Sequence, residues 1–213
     1  MPIEYETDPD KIERESFRLI RELTALDDFD PVARQVAMRV VHSLGRPEIA
    51  NRLRFSLGAG EAGLRALADE CPILCDVEMV REGVTRRLRD KPPVCFLNDP
   101  AVSALARANG ETRSMAALKC WEPHLAGSVV LIGNAPTALF RLLEMIRDSE
   151  DQPALIIAMP VGFVGAAESK QWLWDNHQDL GIECITLLGR EGGSAVTAAS
   201  CNALLRCLHD EWY

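Results

Sequence analysis

The chain of 213 residues has no apolar run long enough to cross a bilayer, which takes about 20 residues. Its opening, MPIEYETDPDK, is acidic and lacks an apolar h-region, so no secretory signal is expected. There is no Walker A segment, no HExxH and no Ser/His/Asp order. Basic residues are in the minority: 23 Lys and Arg stand against 32 Asp and Glu, a formal net charge of -9. That balance argues against broad binding to nucleic acid or to anionic membranes. One basic pocket is still compatible with it, because a small anion responds to local charge. The cysteines, at 71, 75, 95, 120, 184, 201 and 207, form no CxxC pair. Cys71-Pro72-Ile73-Leu74-Cys75 has the wrong spacing for a redox or zinc motif. Reduced thiols in a cytoplasmic protein are the plain expectation. No metal-ligand cluster stands out.

What is present reads as one domain, residues 1–213, with a helical N-terminal segment over about residues 8–50. Asp8-Pro9 and Asp30-Pro31 each offer an N-cap followed by proline at the first helical position. Ile12, Phe17, Ile20, Leu23 and Leu26 line one face of the first helix. Val32, Val36, Val40, Val41 and Leu44 line the second, and Gly45 is its stop. A short helix opens at Pro47. Beyond it, strands are expected at Pro72–Val77, Val94–Leu97, Ser128–Ile132, Ala154–Met159 and Glu183–Leu188. Helices are expected at Pro136–Arg147, Ala166–Asp175 and Ser194–Leu208, with a polar loop over Asp148–Pro153. Continuous apolar runs such as SVVLIG and ALIIAMP suit strands covered on both faces. The fold class is therefore α/β: a mainly parallel sheet flanked by helices, a Rossmann-like three-layer arrangement preceded by N-terminal helices.

Three loops leave such strands and enter helices: Gly133-Asn134-Ala135, Pro160–Gly165 and Gly189–Gly193. Helix N-termini expose free N–H groups, so a shared rim could receive carboxylates. Tight packing turns are the ordinary alternative. Gly58-Ala59-Gly60-Glu61-Ala62-Gly63 is a literal GxGxxG, and Asp76 follows near the next strand's end. That pair could mark a dinucleotide site. Against it, Leu53–Leu57 alternates apolar and polar residues, unlike a central fingerprint strand.

Of the histidines, His177 and His209 lie in polar surroundings expected at the surface, and His124 lies in a loop. His42 sits in the apolar stretch Val40-Val41-His42-Ser43-Leu44 beside the Gly45 turn. A histidine there is ordinarily a satisfied core residue. The functional alternative is a partly desolvated imidazole suited to proton transfer near neutrality. Arg81, Arg86, Arg87, Arg89, Arg113, Lys170 and Arg190 are either solvated charges or clamps for carboxylates.

The stretch Pro72–Val80 with Gly83-Val84-Thr85-Arg86 resembles the precorrin-8 methylmutase (precorrin isomerase) family. So do Thr112–Leu118, Gly127–Leu139, Met159–Lys170 and Gly192–Ala195, in the same order along the chain. The resemblance implies an isomerase of cobalamin biosynthesis that moves a methyl group from carbon 11 to carbon 12 of precorrin-8 or its cobalt form. The products are hydrogenobyrinic or cobyrinic acid. It implies His42 as the catalytic residue and a homodimer with substrate sites near the interface. It implies no cofactor and no protein-bound metal. Substrate contacts are expected from Ser16, Thr85, Arg86, Arg113, Ser114, Asn134, Gly162, Phe163, Lys170, Gly193 and Ser194. A dinucleotide-dependent oxidoreductase and a non-catalytic corrinoid carrier are the competing readings.

Overall fold

The computed structural model describes residues 3–147 and 149–213. Residues 1 and 2 of the acidic opening and Asp148 of the expected polar loop lie outside the described residues. The helices, in chain order, begin with α1 (Pro9–Leu23) and α2 (Pro31–Leu44). Asp8 accepts from the amides of Asp10 and Lys11, and Asp30 accepts from those of Val32 and Ala33. Each such cap contributes about 1 kcal/mol. Gly45 ends α2 at φ 64°, a left-handed position that suits glycine. A short 3-10 helix, Pro47–Arg52, leads into strand β1 (Leu53–Phe55) and helix α3 (Ala59–Ala68).

Strand β2 (Ile73–Cys75) precedes α4 (Glu78–Gly83), α5 (Pro100–Asn109), α6 (Arg113–Ala117) and a second 3-10 helix, Leu118–His124. Strands and helices then alternate: β3 (Val129–Ile132), α7 (Pro136–Arg147), β4 (Leu155–Ala158), α8 (Ala166–Leu180), β5 (Cys184–Leu187) and α9 (Ser194–Leu208). The strands form one sheet in the order β1-β5-β4-β3-β2. β2 through β5 are parallel neighbours, and β1 runs antiparallel at the edge beside β5. The α/β fold with a mainly parallel sheet is as the sequence indicated.

Some local expectations change: α8 runs on to Leu180, past the expected end at Asp175, with the left-handed Gly181 as its stop, and one expected strand is lost. Val94–Leu97 is not a strand: Val94 makes one isolated bridge to Leu74. The chain then turns at once, with the Asp99 amide on the Phe96 carbonyl at 3.0 Å, and enters α5. The alternating Leu53–Phe55, by contrast, is a strand, and its place at the antiparallel edge explains the alternation.

Period-two alternation splits the core into two layers. Val129, Leu131, Leu155, Ile157 and Ile185 point to one face, where α2, α3 and α9 cover them. Val130, Ile132, Ile156, Ala158 and Cys184 point to the other, beneath α7 and α8. Because β2 to β5 are parallel, the loops that follow them gather at one end of the sheet. α2 packs along α9, so the His42 end of α2 reaches that same end. Among the described residues no helix is long and apolar enough to cross a membrane.

Candidate active site

Four loops form the rim: residues 76–77, 133–135, 159–165 and 188–193. Asp76 is 2% exposed, and burial pushes its carboxyl up while three amides pull against that shift. One carboxyl oxygen takes the Gly133 amide at 3.0 Å. The other takes the Asn134 and Ala135 amides at 2.9 and 2.8 Å. A buried carboxylate requires such donors, so this loop is capped from within. The Gly193 amide donates to the Met159 carbonyl at 2.8 Å, and the Gly162 amide to the Arg190 carbonyl at 3.1 Å. The amides of Gly133, Gly162 and Gly193 are thus already engaged within the chain. Rim amides without a partner among the described residues lie one step on, at Ser194, Ala195 and Val196, which open α9. Gly192 has φ 152°, and a Cβ there would lie 2.1 Å from the Met159 carbonyl oxygen, so only glycine fits.

Lys170 is not a surface cation. Its side chain is fully buried, and Nζ donates to the Glu191 carbonyl at 2.6 Å. Burial brings its pKa down to about 8. The Glu191 carboxylate in turn pairs with Arg46, just past α2, and with Arg52. Lys170 therefore holds the rim loop to the His42 end of α2 and does not itself face solvent.

His42 is exposed, so it is not the satisfied core residue that its apolar neighbours suggested. Its ring packs edge-on against Phe17 of α1, with centroids 5.0 Å apart and an interplanar angle of 77°. No hydrogen bond engages the imidazole among the described residues. Partial burial lowers its pKa below 6.5, Arg39 adds to that, and Glu13 opposes it. A free imidazole that loses its proton easily suits a general acid. Ser16, next to Phe17, is half-buried and lines a shallow open concavity of about 710 Å³ along α1.

The other candidates divide by place. Asn134 and Phe163 are exposed on the rim, and Ser194 is buried at the start of α9. Phe163 lies beneath the Arg190 guanidinium at 5.8 Å, and Val161 and Val164 beside it are also exposed. Arg113 is exposed, and its guanidinium donates to the Leu97 carbonyl and to Asn98 at 2.7 and 2.9 Å. Ser114 follows it, half-buried, on α6. Arg113 thus belongs to the α6 side of the sheet, away from His42 on α2. Thr85 and Arg86 lie off the rim: the Thr85 amide donates to Asn202 in the middle of α9 at 2.8 Å. Arg86 pairs with Glu82 at 2.9 Å. A single chain therefore does not assemble all the candidate residues around His42.

The glycine motif stands at the opposite end of the sheet. Gly58 adjoins Glu183 at the start of β5, and the Glu183 carboxylate accepts its amide at 3.0 Å. That helix entry already holds an anion. Gly63 is there for packing, since a Cβ would come within 2.8 Å of Leu204. Asp76 caps the Gly133 loop and is not placed for a ribose. His177 is a further correction: it is buried, stacks on Trp174 and bonds the Trp174 carbonyl at 2.6 Å. His209 is exposed as expected, and His124 ends the second 3-10 helix. All the cysteines are free.

Sequence reasoning missed Arg39, Glu13 and Glu191, which surround or brace the His42 end of α2. Their signal was absent because each is an ordinary surface-type charge until α1, α2 and the rim meet. Among the described residues no group of three or more His, Cys, Asp or Glu is arranged to hold a metal ion.

A family model described as precorrin-8X methylmutase matches residues 11–207. A precorrin-8X methylmutase of Pseudomonas aeruginosa is 50% identical over 204 residues, covering 95% of this chain and 97% of its own. A cobalt-precorrin-8 methylmutase of Methanocaldococcus jannaschii is 33% identical, covering 87% of this chain and 85% of its own. The crystal structure of a precorrin-8x methyl mutase from Thermus thermophilus superposes with a TM-score of 0.85 at 35% identity. It covers 96% of this chain and 98% of that one.

Proposed function

The chain belongs to the precorrin-8X methylmutase family, isomerases of cobalamin biosynthesis, and from that premise we propose that His42 is the acid that drives its methyl shift. The substrate is precorrin-8 or its cobalt form, and the methyl group moves from carbon 11 to carbon 12. His42 gives a proton, or a hydrogen bond that strengthens as charge develops, to a nitrogen of the macrocycle. The conjugated system is thereby polarised, and the methyl migrates suprafacially as a [1,5]-sigmatropic shift. The rest of the site orients the ligand and stabilises the protonated state.

One observation carries this reading. Within the family match over residues 11–207, His42 presents an exposed ring without a hydrogen-bond partner among the described residues. Ser16, Asn134, Phe163, Ser194, Arg113 and Ser114 are proposed to contact the macrocycle, with Arg190 as a further guanidinium for its carboxylates. Thr85 and Arg86 reach the ligand only from a second copy or after movement. Lys170, Gly162 and Gly193 shape the rim. A homodimer fits this division, because two copies could complete a site that one leaves open, and the exposed Val161, Phe163 and Val164 suit its interface. One catalytic domain over residues 1–213, at work in the cytoplasm, is part of the same reading. Two relatives at 50% and 49% identity are named for precorrin-8X, and cobalt-named relatives stand at 33–36%. That gap favours the cobalt-free macrocycle.

The test mixes purified protein with precorrin-8, and separately with its cobalt form, and follows the absorption spectrum. Conversion to the corrin chromophore is expected. Binding without conversion would make the chain a carrier. Light-scattering mass across a dilution series tests the dimer.

A further inference from the structure

The segment after α9 passes beside the His42 corner, and Tyr213 is held there by its ring, hydroxyl, amide and carbonyl. Its ring stacks on Phe17, with centroids 3.5 Å apart and planes 12° apart. Phe17 also meets the imidazole of His42, in a T-shaped contact at 5.0 Å. The Tyr213 hydroxyl accepts from Arg39 Nη1 at 3.0 Å and donates to Glu13 Oε1 at 3.1 Å. Its amide donates to Gln35 Oε1 at 2.9 Å, and Gln35 Nε2 returns a bond to the Tyr213 carbonyl at 3.3 Å. Gln35 is a buried residue of α2. The Arg206 guanidinium of α9 covers the Tyr213 ring at 4.5 Å.

We propose that Tyr213 is a positioning residue for His42: its ring backs Phe17 against the imidazole, and its hydroxyl fixes the charged neighbours Arg39 and Glu13. The inference rests on His42 being the catalytic acid. Stacking restricts Phe17, and Phe17 restricts the imidazole, so one rotamer is favoured before substrate arrives. The charges around the corner come from each packed element: Glu13 from α1, Arg39 from α2, Arg206 from α9 and Glu211 from the segment beyond it. Arg206 lies 3.6 Å from Glu13 and 3.5 Å from Glu211, and Arg87, beyond α4, pairs with Glu211 at 2.6 Å, so Tyr213 sits among three cations and two anions. Burial holds the phenol up at about 12, and it therefore stays a neutral donor across the working range. Without the hydroxyl, Arg39 and Glu13 keep only their direct approach at 3.9 Å, and the balance of charge on His42 changes.

Two variants of the full chain separate positioning from mere support. Tyr213→Phe keeps the stack and the Gln35 pair but removes the hydroxyl. Its kcat should fall about threefold to tenfold, the worth of one hydrogen bond, with KM unchanged and the melting temperature near wild type. The His42 titration midpoint, read by NMR on Cε1-labelled histidine without substrate, should move by several tenths of a unit. Tyr213→Ala should lower kcat further and shift the His42 ring resonances. A midpoint and kcat both unchanged in Tyr213→Phe, with losses only in Tyr213→Ala that track melting temperature, would reduce the residue to structural support and overturn the inference. A moved midpoint with unchanged kcat would instead overturn the premise that His42 is the acid, and the catalytic inference with it.

Discussion

At the strand ends, Asp76 is 2% exposed and both its carboxyl oxygens are occupied by the amides of Gly133, Asn134 and Ala135. At the corner, His42 is exposed, and its imidazole has no hydrogen-bond partner among the described residues. Both places bring polar groups to the same end of the sheet. The rim uses its groups to satisfy one another, because a buried polar atom left unpaired costs about 1–3 kcal/mol. The corner keeps one group unspent, and a group whose bonding is unspent is the one that can do chemistry on a ligand. Substitution of Asp76, whose bonding is spent, should therefore damage the fold, and substitution of His42 should damage turnover.

The largest effect expected is at the corner. His42→Ala should lower kcat by about 10²–10⁴-fold, the usual worth of a general acid, while the thermal midpoint barely moves. Near-normal turnover would erase the contrast. The pH profile sharpens it: with imidazolium as donor, kcat/KM should be highest in acid and fall as pH rises through a midpoint below 6.5. A profile flat across that midpoint would mean that neutral imidazole donates a hydrogen bond only.

Asp76→Asn comes next and tests the rim. Whichever oxygen becomes an amide nitrogen leaves one or two buried N–H groups facing a donor. Unfolding free energy in urea should drop by about 2–3 kcal/mol, with kcat of the folded fraction retained. A loss of turnover without loss of stability would move Asp76 into the chemistry.

Lys170 gives an effect that depends on pH. Its folded pKa is about 8 against an ordinary 10.5, so between those values the unfolded chain holds the proton more readily. Stability of wild type relative to Lys170→Met should therefore rise across that window and stay flat below it. Paired urea titrations at pH 7.5, 9 and 10 measure the difference, and a constant difference would mean that Lys170 titrates normally. The smallest effect expected is Arg113→Gln, which should raise KM about threefold to tenfold with kcat kept, while added salt raises the wild-type KM. A KM insensitive to both would remove carboxylate clamping at that position.

Much of the fold was legible because its causes are local. Asp8 and Asp30 followed by proline marked two helix starts, and Gly45 marked a stop. Unbroken apolar runs marked the central strands, since a strand covered on both faces has no polar side. Val94–Leu97 misled for the same reason: its composition suits a strand, but the turn to α5 ends the pairing after one bridge. Among the site residues, the family resemblance singled out His42 as the residue to examine, while its apolar neighbours pointed to burial where the ring is exposed. Lys170 read as a solvated charge or a clamp for substrate carboxylates, because a cation is rarely buried. Its environment is set by the Glu191 carbonyl across the loop.

The amino-acid order by itself determined the starts of α1 and α2, the central strand runs, the family and the glycine turns, because caps, periodicity and backbone freedom act over a few neighbouring residues. The tertiary structure alone decided which polar groups are consumed and which remain free. Asp76 meets the Gly133 loop, Lys170 meets Glu191 and Tyr213 meets Phe17 only when distant segments pack. A hydrogen bond or a stacked ring needs its partner within a few ångströms, and separation along the chain carries no information about that distance.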